Sequence, residues 1–157
     1  MLQDGLHGTR LGWHLPGFDD SSWSAGSPLQ GLNQSGIQWY RSTFNLSIDS
    51  DLDVPLGIEL GVPAGTKASV QIYVNGYQYG KFIPQIGPQT RFPFPPGVIN
   101  NNGENVLAVA LWAQQDAPTR LSNCTLFAYN KYQTGFDFDQ DWSVLQPGWT
   151  EDRLQYV

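Results

Sequence analysis

One cysteine, two histidines and eight Lys/Arg residues are all that this 157-residue chain offers to disulfide, metal, proton-transfer or polyanion chemistry. A lone Cys124 excludes an intramolecular disulfide, so the core must hold itself together. His7 and His14, seven apart, are a poor start for a metal site, which needs several converging ligands. The formal charge is −6 and the cations form no cluster; nucleic acid, whose binding displaces condensed counterions with several cations, is not expected as a partner. The longest apolar run, Val106 to Ala113, is eight residues, far short of the ~20 that cross a bilayer as a helix. Residues 1–15 include Asp4, His7 and Arg10 and no apolar stretch, so no signal peptide is expected in them.

What is abundant is glycine, proline and aromatic side chains: 17 Gly, 11 Pro, six Trp, seven Tyr and eight Phe, with only 14% charged residues. Gly and Pro interrupt helices and aromatic rings pack well on pleated surfaces, so the composition points to β-structure and turns. The length suits one domain that buries roughly 68–70% of its unfolded surface.

Asn75-Gly76 stands between two alternating apolar and aromatic runs. A two-residue type I′ turn needs positive φ at both central residues, which makes Asn-Gly a strong hairpin signal. Strands are expected from Ile37 to Leu46, over Leu56–Gly61 with one buried face, over Val70–Val74 in alternation with Gln71 and Tyr73, and on the return through Tyr77, Tyr79 and Phe82. Arg91 to Pro96 is punctuated by proline and reads as an edge strand or extended crossover. Glu104 to Ala113 is apolar on both faces and reads as a central strand with Trp112 in the core; a last strand is expected from about Arg120 to Tyr129. Burying single apolar faces of this kind calls for a two-sheet sandwich or jelly roll. Trp39 reads as core, and Arg41 beside it as a link from the sandwich edge to carbonyls or a carboxylate. A helical turn is allowed in the polar stretch Asp19–Ser24, and residues 133–157 read as a tail lying across the sandwich or along a neighbouring domain.

The sequence carries no recognisable catalytic constellation. Glycoside hydrolysis usually needs two carboxyl groups, about 5–5.5 Å apart for retention. The only glutamates are Glu59, Glu104 and Glu151, and Glu104 sits in a turn-like Asn-Asn-Gly-Glu-Asn. No G-x-S-x-G elbow accompanies either histidine. Asp49, Asp51, Asp53 and Asp137, Asp139, Asp141 resemble the opening of a calcium loop, yet neither run has the later glycine or the terminal glutamate of an EF-hand. No cofactor is expected beyond a structural Ca²⁺ as a remote option.

A sugar presents flat C–H faces and a rim of hydroxyls, so a lectin-like site wants aromatic platforms beside polar side chains. The candidates are Trp13, His14, Asp19, Asp20 and Trp23 near the N-terminus, with Asn75, Tyr77 and Tyr79 around the hairpin; Trp149 also falls in a loop-like context. N-x-Ser/Thr sequons occur at Asn33, Asn45 and Asn123 and are candidate glycosylation sites.

V-N-G-Y-Q-Y-G-K from Val74, I-G-P-Q-T from Ile86, F-P-F-P-P-G from Phe92, N-G-E-N from Asn102 and L-W-A-Q from Leu111 occur in this order, preceded by G-W-H-L-P-G-F from Gly12, G-S-P from Gly26 and Y-R-S-T-F from Tyr40. The set, from about Leu11 to Ala128, resembles the C-terminal jelly-roll domain of fungal family 35 β-galactosidases. The resemblance implies an all-β, galactose-binding-domain-like sandwich spanning 1–157, with a core at about 11–130 and a tail at 131–157. It implies a non-catalytic accessory module that packs on and stabilises a catalytic (β/α)₈ barrel absent from this chain, the catalytic glutamates belonging to that barrel. The alternative is a carbohydrate-binding module for galactose-containing glycans. Together with the sequons it implies a secreted glycoprotein, with Met1 opening a mature or excised piece.

Overall fold

The computed structural model describes residues 6–133, 135 and 150–156. Within them lie a one-turn helix α1 (His7–Arg10) and nine strands: β1 (Gly36–Ser47), β2 (Leu52–Asp53), β3 (Leu56–Gly61), β4 (Ala68–Val74), β5 (Tyr77–Phe82), β6 (Arg91–Pro93), β7 (Asn102–Ala113), β8 (Asn123–Ala128) and β9 (Tyr132–Gln133). A 3₁₀ helix spans Glu151–Tyr156.

Every strand pair is antiparallel. One sheet has the order β1-β7-β4-β5, a second β6-β3-β8, and β2 pairs with β9 alone. The two larger sheets share one core: Tyr40, Val70, Ile72, Phe82, Val109 and Leu111 from the first meet Ile58, Leu60 and Phe92 from the second, with Leu121 between. This is the expected two-sheet antiparallel sandwich. The β4–β5 turn forms as the Asn-Gly signal implies, with φ of 47° at Asn75 and 86° at Gly76.

A polar cluster pins that turn from inside. Asn75 Nδ2 donates to Val98 O at 2.6 Å and to Asn105 Oδ1 at 2.8 Å, and Asn75 Oδ1 accepts from Val106 N at 2.8 Å. Asn105 Oδ1 also accepts from Asn100 N, and its Nδ2 donates to Asn100 O. Buried amides are affordable only when bonded in this way.

β6 is the expected proline-bearing edge, and β7 the expected central strand, flanked by β1 and β4. Four expectations need correction. Trp112 is not a core residue: it is 43% exposed near the end of β7. The alternation of β4 holds, but its Ser69, Gln71 and Tyr73 face is not open to solvent, because all seven residues of the strand are buried. The Asp19–Ser24 stretch is a turn, closed by Trp23 N donating to Asp20 O at 2.9 Å, and the only α-helix among the described residues is α1. β8 begins at Asn123 rather than about Arg120, because Leu121 N donates to Pro28 O in a loop and the segment joins the β3 ladder only where Ser122 N donates to Gly61 O. Most of the tail, with Asp137, Asp139, Asp141 and Trp149, lies outside the described residues.

Candidate functional site

Strand alternation and register decide which residues look away from the sandwich core. On the outer face of the four-stranded sheet, successive rows are Ile37, Trp112 and Ser69; then Trp39, Ala110 and Gln71; then Arg41, Ala108 and Tyr73. Alanine at the centre of two rows lets the rings of Trp39 and Tyr73, on the flanking strands, meet and stack at 5.3 Å.

The N-terminal segment packs onto this pair. Trp13 packs edge-on against Trp39 at 6.0 Å and against Trp23 at 5.4 Å, and His14 lies 5.0 Å from the Tyr73 ring. Leu6, Trp13 and Trp23 form one cluster with Trp39, Tyr73, Ala108 and Ala110. The fit requires glycine at position 8, where a Cβ would come within 2.5 Å of the Trp13 and Trp39 rings. Tyr73 Oη donates to Gln71 Oε1 at 2.6 Å and shares a hydrogen bond with Thr9 Oγ1 at 3.3 Å, so the Tyr73 hydroxyl under the cover is bonded.

Arg41 ties the cover down. Its Nη1 donates to Trp13 O at 2.6 Å and Leu15 O at 3.0 Å, Nη2 to Phe18 O at 3.4 Å, and Nε to Asp20 Oδ2 at 2.8 Å. Its side chain is 5% exposed while that of Asp20 is 46%. The planar fork with five donors suits a strand residue that must satisfy three carbonyls at once.

The structure therefore brings Trp13, His14, Asp20 and Trp23 together, in a packing role: both indoles are half-buried and their neighbours are protein rings. Asp19 is exposed beside them, its carboxyl held below the usual range by the Ser21 hydroxyl and then by Ser21 N–H at 3.0 Å. The hairpin candidates separate. Asn75 is buried, with both amide donors and its oxygen bound to protein, which removes it from an accessible sugar site. Tyr79 turns inward against Phe94 at 5.2 Å, and its Oη is buried with no hydrogen-bond partner among the described residues. Burial, then the Cys124 thiol nearby, pushes the Tyr79 phenol well above its usual range, and burial also raises Cys124. Tyr77 is half-buried at the start of β5. The signal that could have found the cover in the sequence is the pairing of Ala108 and Ala110 with a neighbouring strand, β4, that offers no consistently polar face.

Glu59 and Glu104 lie on different sheets, Glu59 paired with Arg91 at 3.0 Å and Glu104 opposite Asn45 at the β1–β7 ladder. Among the described residues no group of three or more His, Cys, Asp or Glu could hold a metal ion. At the end of the outer face the row of Ile37 and Trp112 stays bare, 45% and 43% exposed and directly opposite in the ladder.

An antiparallel sandwich with its own sealing segment defines a compact all-β module. Residues 7–117 match the family of the β-galactosidase second all-beta domain, and the chain belongs to that family. Over its full length it is 56% identical to the probable β-galactosidase C of Penicillium rubens, 58% to that of Sclerotinia sclerotiorum and 55% to that of Aspergillus fumigatus. It spans 16% of the length of each.

Proposed function

We propose that this domain is a non-catalytic module of an extracellular β-galactosidase, and that it packs against the parent's catalytic barrel and stabilises it. The observation that carries the reading is the bare Ile37–Trp112 row, two large apolar side chains exposed beside the part of the face that the N-terminal segment covers. A tryptophan beside a β-branched residue on a rigid sheet is the kind of anchor that neighbouring domains bury, since aromatic rings supply large contact area at low entropic cost. The scattering of Glu59 and Glu104 over two sheets supports a non-catalytic role. Sugar capture ranks below docking because Trp13, Trp23 and Tyr79 spend their rings on internal packing.

In the full-length enzyme, Trp112→Ser with Ile37→Ser should speed thermal inactivation and leave KM and kcat at low temperature unchanged. Unaltered inactivation would remove the docking role. Galactose or galactan binding to the chain, abolished by Trp23→Ala, would favour the carbohydrate-binding alternative.

A further inference from the structure

Among the described residues the sandwich has four edge strands, β1 and β5 in one sheet and β6 and β8 in the other. An edge strand presents unpaired backbone donors and acceptors to any passing strand, and proteins blunt such edges with brevity, proline, lysine or a bulge. Two of the four edges carry these guards. β6 is three residues long and ends in Pro93, and β5 carries exposed Lys81 and an irregular register at Ile72/Tyr73 of its partner.

β1 and β8 have none of them. β1 runs 12 residues in unbroken register with β7, and among the described residues it pairs with no other strand. It lacks proline, lysine and acidic residues, and its one charge, Arg41, is turned onto the N-terminal segment. β8, Asn-Cys-Thr-Leu-Phe-Ala, has neither charge nor proline. These two unguarded edges are the ones that carry sequons, Asn45-Leu46-Ser47 on β1 and Asn123-Cys124-Thr125 on β8. They share one side of the sandwich. The opposite side is closed by Phe82 of β5 against Phe92 of β6 at 6.2 Å, while the approaches to β1 and β8 are tied by the Leu32–Thr119 bridge.

We propose that N-linked oligosaccharides on Asn45 and Asn123 shield the two open edges. Asn45 is exposed, and Asn123 is half-buried with its Oδ1 accepting from the Thr125 hydroxyl, a bond that does not use Nδ2. In the transfer, the asparagine Nδ2 attacks the anomeric carbon of a lipid-linked oligosaccharide diphosphate. The C–N bond forms as the C–O bond to phosphate breaks, the amide loses one proton, and the lipid diphosphate leaves. A hydrated, bulky sugar at these positions blocks approach of a second strand, as charges do on other edges. The proposal rests on the extracellular reading above, and the test is built to separate the two.

The whole 157-residue chain is produced in yeast behind a supplied secretory leader, so that entry into the lumen is given and a negative result speaks against these acceptors and not against secretion. Peptide N-glycosidase F in H₂¹⁸O converts an occupied asparagine into ¹⁸O-labelled aspartate. Label at both Asn45 and Asn123 is expected; its absence at either overturns the proposal. The glycosylated chain should sediment as a monomer, and the Asn45→Gln/Asn123→Gln chain should associate at micromolar concentration with new amide-exchange protection over 36–47 or 123–128. Trimming the folded glycoprotein to single N-acetylglucosamines with endoglycosidase H gives a second route that starts from a formed fold. A double variant and a trimmed chain that both stay monomeric would overturn the shielding role.

Discussion

Arg41 on β1 and Asp20 in the N-terminal turn are joined by a 2.8 Å bond from Nε to Oδ2, while the rest of the same guanidinium holds the carbonyls of Trp13, Leu15 and Phe18. One side chain thus fastens the segment that seals the outer face. Arg41→Ala should cost at least about 1–3 kcal/mol, since it leaves carbonyls at a buried site without a donor, and Arg41→Lys should recover only part because a point charge cannot satisfy the fork. Asp20→Asn, on the exposed partner, should cost no more than about 1 kcal/mol. Urea denaturation of the three variants gives the ranking; equal losses for Arg41→Ala and Asp20→Asn would show that the ion pair, and not the carbonyl set, holds the segment.

Asn75 and Asn105 form a second two-residue device, and its strength is expected to be cooperative. Asn75→Ala leaves Val98 O and Val106 N short of a partner and places alanine at φ 47°. A loss of about 2–3 kcal/mol is expected from the unsatisfied groups and the left-handed backbone together. A double-mutant cycle with Asn105→Ala should show a coupling above about 0.5 kcal/mol, since contacting residues in one network are not additive.

Gly8 and Gly17 make a paired test of the cover. Alanine is intrinsically the better helix former, by about 1 kcal/mol, so Gly8→Ala in α1 would stabilise a helix that packed against nothing. Here the new Cβ meets Trp13 and Trp39 ring atoms at 2.4–2.5 Å, and the overpacking should win by about 1–3 kcal/mol. At Gly17 nothing lies within 4 Å, and Gly17→Ala should fall within about 0.5 kcal/mol of the parent. Tryptophan fluorescence should shift to the red for the first variant and stay put for the second.

Stability should fall on the alkaline side. The Tyr40, Tyr79 and Cys124 pKa values are all raised in the fold, chiefly by burial, from ordinary values of 10.0 for tyrosine and 9.0 for cysteine. Below those values both states are protonated and the groups cost nothing; as pH climbs past them the unfolded chain ionises first, and stability is lost. Urea midpoints should therefore be level from pH 7 to 8.5 and decline above about pH 9 to 10. Tyr79→Phe should blunt the decline and, by removing a buried hydroxyl without a partner among the described residues, leave neutral-pH stability equal or higher.

Much of the sandwich was legible before its structure. The Asn75-Gly76 turn, the proline-marked β6 and the doubly apolar β7 are local signals with direct steric causes, and each element formed where its residues dictated. The outer face was less legible. Gln71 and Tyr73 look solvent-facing by alternation, and only the approach of Trp13, Trp23 and His14 from 50 or so residues upstream buries them. The same non-local packing engages the Trp13 and Trp23 indoles with Trp39, while Trp112, expected inside, is exposed. Asn75, a turn residue by pattern, became an interior one because β7 and the Val98 loop close over it.

Docking through the bare end of that face is the centre of the account, and the inactivation half-life of the full-length β-galactosidase carrying Trp112→Ser measures it most directly. A half-life shortened several-fold at elevated temperature, with KM and kcat at 25 °C unchanged, is the expected result. A half-life equal to that of the parent, or a loss of kcat at 25 °C with no change in half-life, would contradict it.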